Sequence, residues 1–274
     1  MRLAAPPVAR LADAAIGACL LAATANVIMQ LALPGVGYGV VESRVDSGSL
    51  LKHPVKRTRT TLTYLAVVAR GNESERASYR RGVNRSHAKV RSTASSPVPY
   101  SAFDPDLQLW VAACIYQGFR DIYRLFGKPV DPAAWERLYR EAASIATILQ
   151  VSAELWPSDI EAFERYWERE LDRVSIDETV RGYLTDLIML KPFALPVRLL
   201  LGRLNRFLTT GFLPQRFREE MRLGWDERQQ RRFNLLMKLI RVVVRVSPPV
   251  LRAFPFNALM VELRWRIRTG RPVV

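Results

Sequence analysis

Two histidines, His53 and His87, and two cysteines, Cys19 and Cys114, are the whole imidazole and thiol supply of this 274-residue chain. Zinc hydrolases, Ser-His-Asp enzymes and di-iron helical bundles need imidazoles in defined company, so any imidazole chemistry here runs through His53 or His87. The cysteines lie far apart in apolar surroundings. They allow one disulfide at most, exclude a Cys-rich zinc site, and are expected to be buried free thiols.

His87 sits in Arg81-Gly-Val-Asn-Arg-Ser-His87-Ala-Lys-Val-Arg91. Helical spacing puts Tyr79, Val83, His87 and Val90 along one side of this segment. A lone histidine on an apolar face is often structural, making one hydrogen bond. Two details favour chemistry: Gly82, close to one turn below, removes bulk at a cost in helix propensity, and Arg85, Lys89 and Arg91 surround the imidazole with cations. A flat hydrophobic cofactor with anionic edges and a metal needing one imidazole would use that arrangement, and haem meets those terms. The second constellation is Lys56-Arg57-Thr58-Arg59-Thr60-Thr61, following His53-Pro54 at the start of an amphipathic helix. Cations there oppose the helix dipole by a few tenths of a kcal/mol each, roughly. Either the segment is a solvated helix start, or an anionic partner removes the conflict.

The elements that must position these residues are helices. Asp104-Pro105 and Asp131-Pro132 are N-caps followed by proline at the first helical position. Ser158-Asp-Ile-Glu161 and Ser175-Ile-Asp-Glu178 are capping-box patterns, Asp226 with Gln229 is a weaker one, and Ser247-Pro248 opens a short late helix. Between these signals the apolar periodicity predicts helices over 59–70, 73–91, 105–126, 132–149, 159–173, 176–190, 196–208, 214–222, 227–246 and 256–268. Strand patterns are scarce and no repeat recurs, so the fold class is all-α: one large globular domain of about ten helices, with Ser92–Pro99 its clear loop.

Residues 1–28 are set apart as an N-terminal apolar segment, with 29–274 as the main domain. From Ala14 to Leu33 no residue is charged, and that length could cross a bilayer or serve as a signal segment. Asn26, Gln30 and the many alanines favour a buried helix. Pro34-Gly-Val-Gly-Tyr-Gly39 is read as the turn that ends it, with glycines that would let a flat ligand approach closely.

The net charge of +15 is uneven. Residues 1–100 carry 14 basic and 5 acidic side chains, residues 101–190 carry 9 and 16, and residues 191–274 carry 18 and 5. No zinc finger, basic zipper or RNA-binding aromatic signature accompanies the charge, so nucleic acid is not an expected partner. The basic helix 227–246 could instead meet an anionic membrane.

At Gln30-Leu-Ala-Leu-Pro-Gly-Val36, Arg59-Thr60, Val83-Asn-Arg-Ser-His87-Ala-Lys-Val90, Pro99-Tyr100-Ser-Ala-Phe-Asp104-Pro105, Leu109-Trp110-Val111, Leu213-Pro214 and Phe254-Pro255 the sequence resembles the rubber oxygenase and mycophenolic-acid-pathway oxygenase catalytic-domain family. Each piece is weak alone; their order and spacing, from about Met29 to Phe256, carry the likeness. The resemblance implies an all-helical domain binding haem b, and makes His87 the proximal ligand of the iron. It places Arg59-Thr60 where rubber oxygenases have Lys-Thr, and an arginine, always protonated, cannot be an axial ligand. The distal face would be open to dioxygen or peroxide. Arg59 and Thr60 would hydrogen-bond the oxidant, or Arg59 would pair with a propionate, with Lys56 and Arg91 completing a cluster at the haem edge.

Glu42, in Gly39-Val-Val-Glu42-Ser43-Arg44, lies near where relatives carry a polar or acidic residue and could act as general base; a surface pair with Arg44 is the plainer alternative. Many relatives read Trp-Val-His where this chain has Trp110-Val111-Ala112. Tyr100 and Asp104 are read as structural, one filling core and one capping. The expectation is a haem b oxidoreductase acting on a hydrophobic, lipid-like substrate, cytoplasmic with membrane contact through the basic C-terminal third, or exported through the N-terminal segment. The alternative is a non-catalytic basic helical protein on an anionic membrane surface.

Overall fold

A computed structural model of the chain describes residues 10–43, 45 and 50–274. Among them there is no β-strand beyond an isolated bridge between Arg91 and Ser101. The longest helix of the first half, α6 (Pro105–Phe126), is buried on nearly every side, with Trp110, Ala113, Cys114 and Tyr116 fully enclosed. Its start follows from local chemistry: the Asp104 carboxylate accepts the Asp106 and Leu107 amides, and Pro105 takes the first helical position where no amide partner is lost.

Around α6 pack α1 (Leu11–Ala14), α2 (Cys19–Leu31), α3 (Pro34–Val41), α7 (Pro132–Ile148) and α12 (Glu227–Val246). Small residues bring α2 close, and Asn26 donates to the Cys114 carbonyl at 2.6 Å. Gly118 leaves room for that side chain; a Cβ there would stand 2.6 Å from Asn26 Nδ2. The Trp110 indole donates to the carbonyls of Met29 and Gln30, tying the end of α2 to the second turn of α6. A boundary after residue 28 would cut α2, whose Ala25, Ile28, Met29 and Leu31 all belong to the core.

The remaining elements are α4 (Pro54–Arg70), α5 (Glu73–His87), a 3-10 turn at Ala153–Leu155, α8 (Ile160–Leu171), α9 (Glu178–Ile188), α10 (Leu195–Phe212), α11 (Gln215–Glu220), α13 (Pro249–Arg252) and α14 (Phe256–Arg268). The α4 helix lies between α5 and α14. Arg70, at its end, donates to the carbonyls of Ala12 and Ala15, anchoring the first turn of the chain.

The ten expected helices are all present, and the differences are local. Helix α4 starts at Pro54 and not near 59, because Pro54 is pre-shaped for the first helical position. Helix α5 ends at His87, four residues short of the expected 91. The glycine-rich segment after Leu33 forms α3, bent 109° from α2. Its glycines face protein: Gly35 abuts Leu107, Gly37 the Leu31 carbonyl and Val180, and Gly39 Tyr100. Close helix packing is therefore their use, and the expected ligand approach is not seen. No single helix among the described residues is long and apolar enough to cross a membrane; only the bent pair α2 and α3 passes by length and composition together.

Candidate functional site

His87 is the last residue of α5, a helix opened by a complete capping box in which Asn72 and Glu75 satisfy each other's backbone amides. Tyr79 and Val83, two turns and one turn earlier, are buried and hold this face against the body. The Tyr79 hydroxyl donates to the Thr60 carbonyl at 2.6 Å, and the Tyr64 hydroxyl to the Ile145 carbonyl at 2.7 Å, so α5, α4 and α7 are bolted together beneath the imidazole. Phe103 meets the ring edge-on, with centroids 6.4 Å apart.

The residue is half-buried, and its Nδ1 is enclosed without a hydrogen-bond partner. Burial, reinforced by the Arg57 cation, pushes the His87 pKa down from 6.5 to about 4. The ring is therefore neutral at physiological pH, the form that ligates a metal. A buried polar atom without a partner costs about 1–3 kcal/mol unless a ligand takes it up.

Arg57 was not among the expected site residues. Burial pushes its pKa down, against the opposing influence of Tyr79 and Tyr183, and no ion pair engages it among the described residues. The sequence held a signal. Arg57 lies seven residues before Tyr64 and eleven before Val68, both buried, so the helical period points it inward.

Arg59, two residues on, is rotated by roughly 200° about the helix axis. Its guanidinium pairs with Glu262 of α14 at 2.6 Å, and Arg266 completes the pair from 2.8 Å. Thr60 Oγ1 donates back to the Lys56 carbonyl at 3.0 Å. Lys56 and Arg91 are exposed. Of the expected edge cluster, Arg59 is engaged by α14 while Lys56 and Arg91 stand exposed, and Arg57 is the cation whose charge acts on His87.

Gly82 needs a similar correction. The space it opens is filled by the chain's own C-terminal segment, since a Cβ there would lie 2.8 Å from Val274 and 3.1 Å from Val273. Gly270, at φ +67°, turns that segment back, and Arg266 fastens it by donating to the Pro272 carbonyl at 2.8 Å.

Glu42 caps the end of α3 and accepts hydrogen bonds from Ser96 Oγ at 2.7 Å and the Tyr100 hydroxyl at 2.9 Å. Arg44, its expected surface partner, lies outside the described residues. Tyr100 is buried as expected but also orients this carboxylate, a role the sequence reading missed. Glu42, Lys89, Arg91 and Tyr100 line a polar cavity of about 190 Å³, one turn of chain beyond His87. Asp104 caps α6 as read from the sequence.

Among the described residues no group of three or more His, Cys, Asp or Glu is disposed to hold a metal ion. A metal that brings its equatorial ligands in a macrocycle needs one protein donor, and His87 is the residue here that could serve as one.

The fold is all-helical, and near the end of α5 it carries a half-buried imidazole whose Nδ1 has no hydrogen-bond partner. Residues 12–242 match the family described as ER-bound oxygenase mpaB/B'/Rubber oxygenase, catalytic domain, and the chain belongs to it. Uncharacterized proteins of Mycobacterium bovis and Mycobacterium tuberculosis are each 48% identical over 255 residues, covering 93% of this chain and all of theirs. The solved structure of latex clearing protein in the closed state superposes with a TM-score of 0.52 at 15% identity, covering 94% of this chain and 70% of that one; it shows the shared fold. Family membership makes the chain an oxygenase-like enzyme of the haem-associated type.

Proposed function

We propose that this protein is a haem b dependent oxidoreductase, an oxygenase or peroxygenase, that holds iron through His87 and acts on a hydrophobic substrate. The observation that carries the reading is the His87 imidazole, half-buried, neutral and with a buried Nδ1 that no protein group engages. Haem, when bound, supplies the iron that activates dioxygen or peroxide.

The chain's own residues do the rest. His87 offers a lone pair at a fixed place because Tyr79 and Val83 hold the last turn of α5. Arg57 places a positive charge beside the site and favours an anion there, a carboxylate edge or a reduced oxidant. Lys89 and Arg91, exposed on the chain that follows, supply further positive charge, as does Lys56. Thr60 and Arg59 remain candidates for contact with the oxidant, and that role requires Arg59 to leave Glu262. Glu42, which accepts hydrogen bonds from Tyr100 and Ser96 and lines a polar cavity, is the candidate to accept a substrate proton. Membership of the oxygenase family supports a hydrophobic substrate.

The purified protein should be coloured, should give a haem b pyridine haemochrome, and should lose its Soret band in His87→Ala. A folded, colourless protein that refuses haem would sink the reading. Contact of the basic helix 227–246 with an anionic membrane is compatible with it, because an enzyme for lipid-soluble substrates gains from sitting where they dissolve.

A further inference from the structure

The last third of the chain carries apolar side chains on two faces of one helix. The α12 residues Phe233, Met237, Ile240 and Val244 share one stripe and pack into a core beneath, with Leu208 and Ile122. Leu235, Leu239, Val242, Val243 and Val246 form a second stripe on the far side, each between 58% and 77% exposed. Their spacing of i, i+4, i+7, i+8 and i+11 makes one continuous band. The band continues past Ser247 into α13, where Val250 and Leu251 are exposed, and on to Phe254 just beyond it, exposed as well. An apolar surface of this extent marks a contact site.

The charges say which kind. Between Glu227 and Glu262 there is no acidic residue, while Arg228, Arg231, Arg232, Lys238, Arg241, Arg245 and Arg252 fall in the same stretch. Lys238 and Arg245 are exposed along one edge of the band and form no ion pair among the described residues. A second copy of this face would set cations against cations. An anionic bilayer offers both what the band lacks, an apolar phase, and what its edge lacks, negative charge. The first two turns of α10 have the same character: Leu195, Leu199 and Leu200 are all more than half exposed, and Asp and Glu are absent from residues 187–218.

We propose that the outer face of α12 and α13 is a docking surface for an anionic lipid bilayer, its apolar band sinking into the headgroup boundary and its cations meeting lipid phosphates. This goes beyond electrostatic contact, because the valines and leucines, and not the arginines alone, hold the protein there. It stands independently of the haem reading.

The test uses the full chain and vesicles of phosphatidylcholine, with and without phosphatidylglycerol. The protein should bind the anionic vesicles. Val243→Asp with Val246→Asp should weaken binding at least about tenfold with an unchanged circular dichroism spectrum, since both sites are exposed. Lys238→Gln with Arg245→Gln should weaken it about fivefold per cation removed at low salt. An environment-sensitive fluorophore on Val246→Cys should shift to the blue on binding. No binding to anionic vesicles, binding indifferent to the paired aspartates, or a soluble dimer that those aspartates dissolve without any vesicle binding would each overturn the proposal.

Discussion

The first and last thirds of the chain are both strongly basic, yet they use their cations in opposite ways. On α4, three guanidinium groups are turned toward the body: Arg57 acts on His87, Arg59 pairs with Glu262, and Arg70 donates to the carbonyls of Ala12 and Ala15. Glu75, buried in the first turn of α5, receives Arg264 from α14 at 2.7 Å. On α12 the cations largely stand in solvent, interleaved with exposed leucine and valine. Composition alone cannot tell these uses apart. Helical phase and the presence of a carboxylate across the interface decide them: α14 brings Glu262 to α4, whereas the outer band of α12 stays exposed among the described residues.

If the inward region is as described, its pH response is the largest effect. The folded-state pKa of His87, about 4, lies below the ordinary 6.5, so between those values the unfolded chain binds the extra proton. The stability contributed by the neutral ring is complete above about pH 6.5 and is lost as pH falls through 4, up to about 3 kcal/mol in cofactor-free protein. Urea unfolding of wild type and His87→Phe across that range measures it; parallel curves would contradict the burial of the ring.

Glu75→Ala comes next. It removes the Asn72 amide's acceptor and leaves Arg264 without its partner, an expected loss of about 2–3 kcal/mol by the same measurement. Arg59→Met, breaking a half-exposed pair, should cost only about 1 kcal/mol or less. The smallest effect belongs to the outward region: replacing Lys238 and Arg245 by glutamine should move stability by no more than about 0.5 kcal/mol. Equal losses in both regions would erase the contrast between them.

Arg57→Met sharpens it from another side. With the neighbouring cation gone, the His87 pKa should rise, as followed by NMR titration of the imidazole, while the Arg59–Glu262 pair stays intact. An unmoved His87 would mean that the two groups do not sense each other.

Much of the fold was legible because its signals are local. Asp104-Pro105, Asp131-Pro132 and Asp226 with Gln229 cap the helices they were expected to cap, by side-chain acceptance of backbone amides that a sequence displays directly. The α3 segment was not legible, since five residues of proline, glycine and valine read as a turn until Leu107, Val180 and Tyr100 close around them. His87 could be picked out by scarcity and resemblance. Its neighbour Arg57 was hidden in the polar run Lys56–Thr61 and needed the phase of α4. The partners of Glu42 come from a loop more than fifty residues away, and the packing of Val273 and Val274 on Gly82 comes from the far end of the chain. Such contacts leave no mark in local periodicity.

The central claim is that a single imidazole on α5 holds the cofactor's iron. Resonance Raman spectroscopy of the ferrous, haem-reconstituted protein tests it most directly. An iron–histidine stretching band present in wild type and His53→Ala and absent in His87→Ala is the predicted result. A band that survives in His87→Ala, or a folded wild-type chain that takes up no haem, would contradict it.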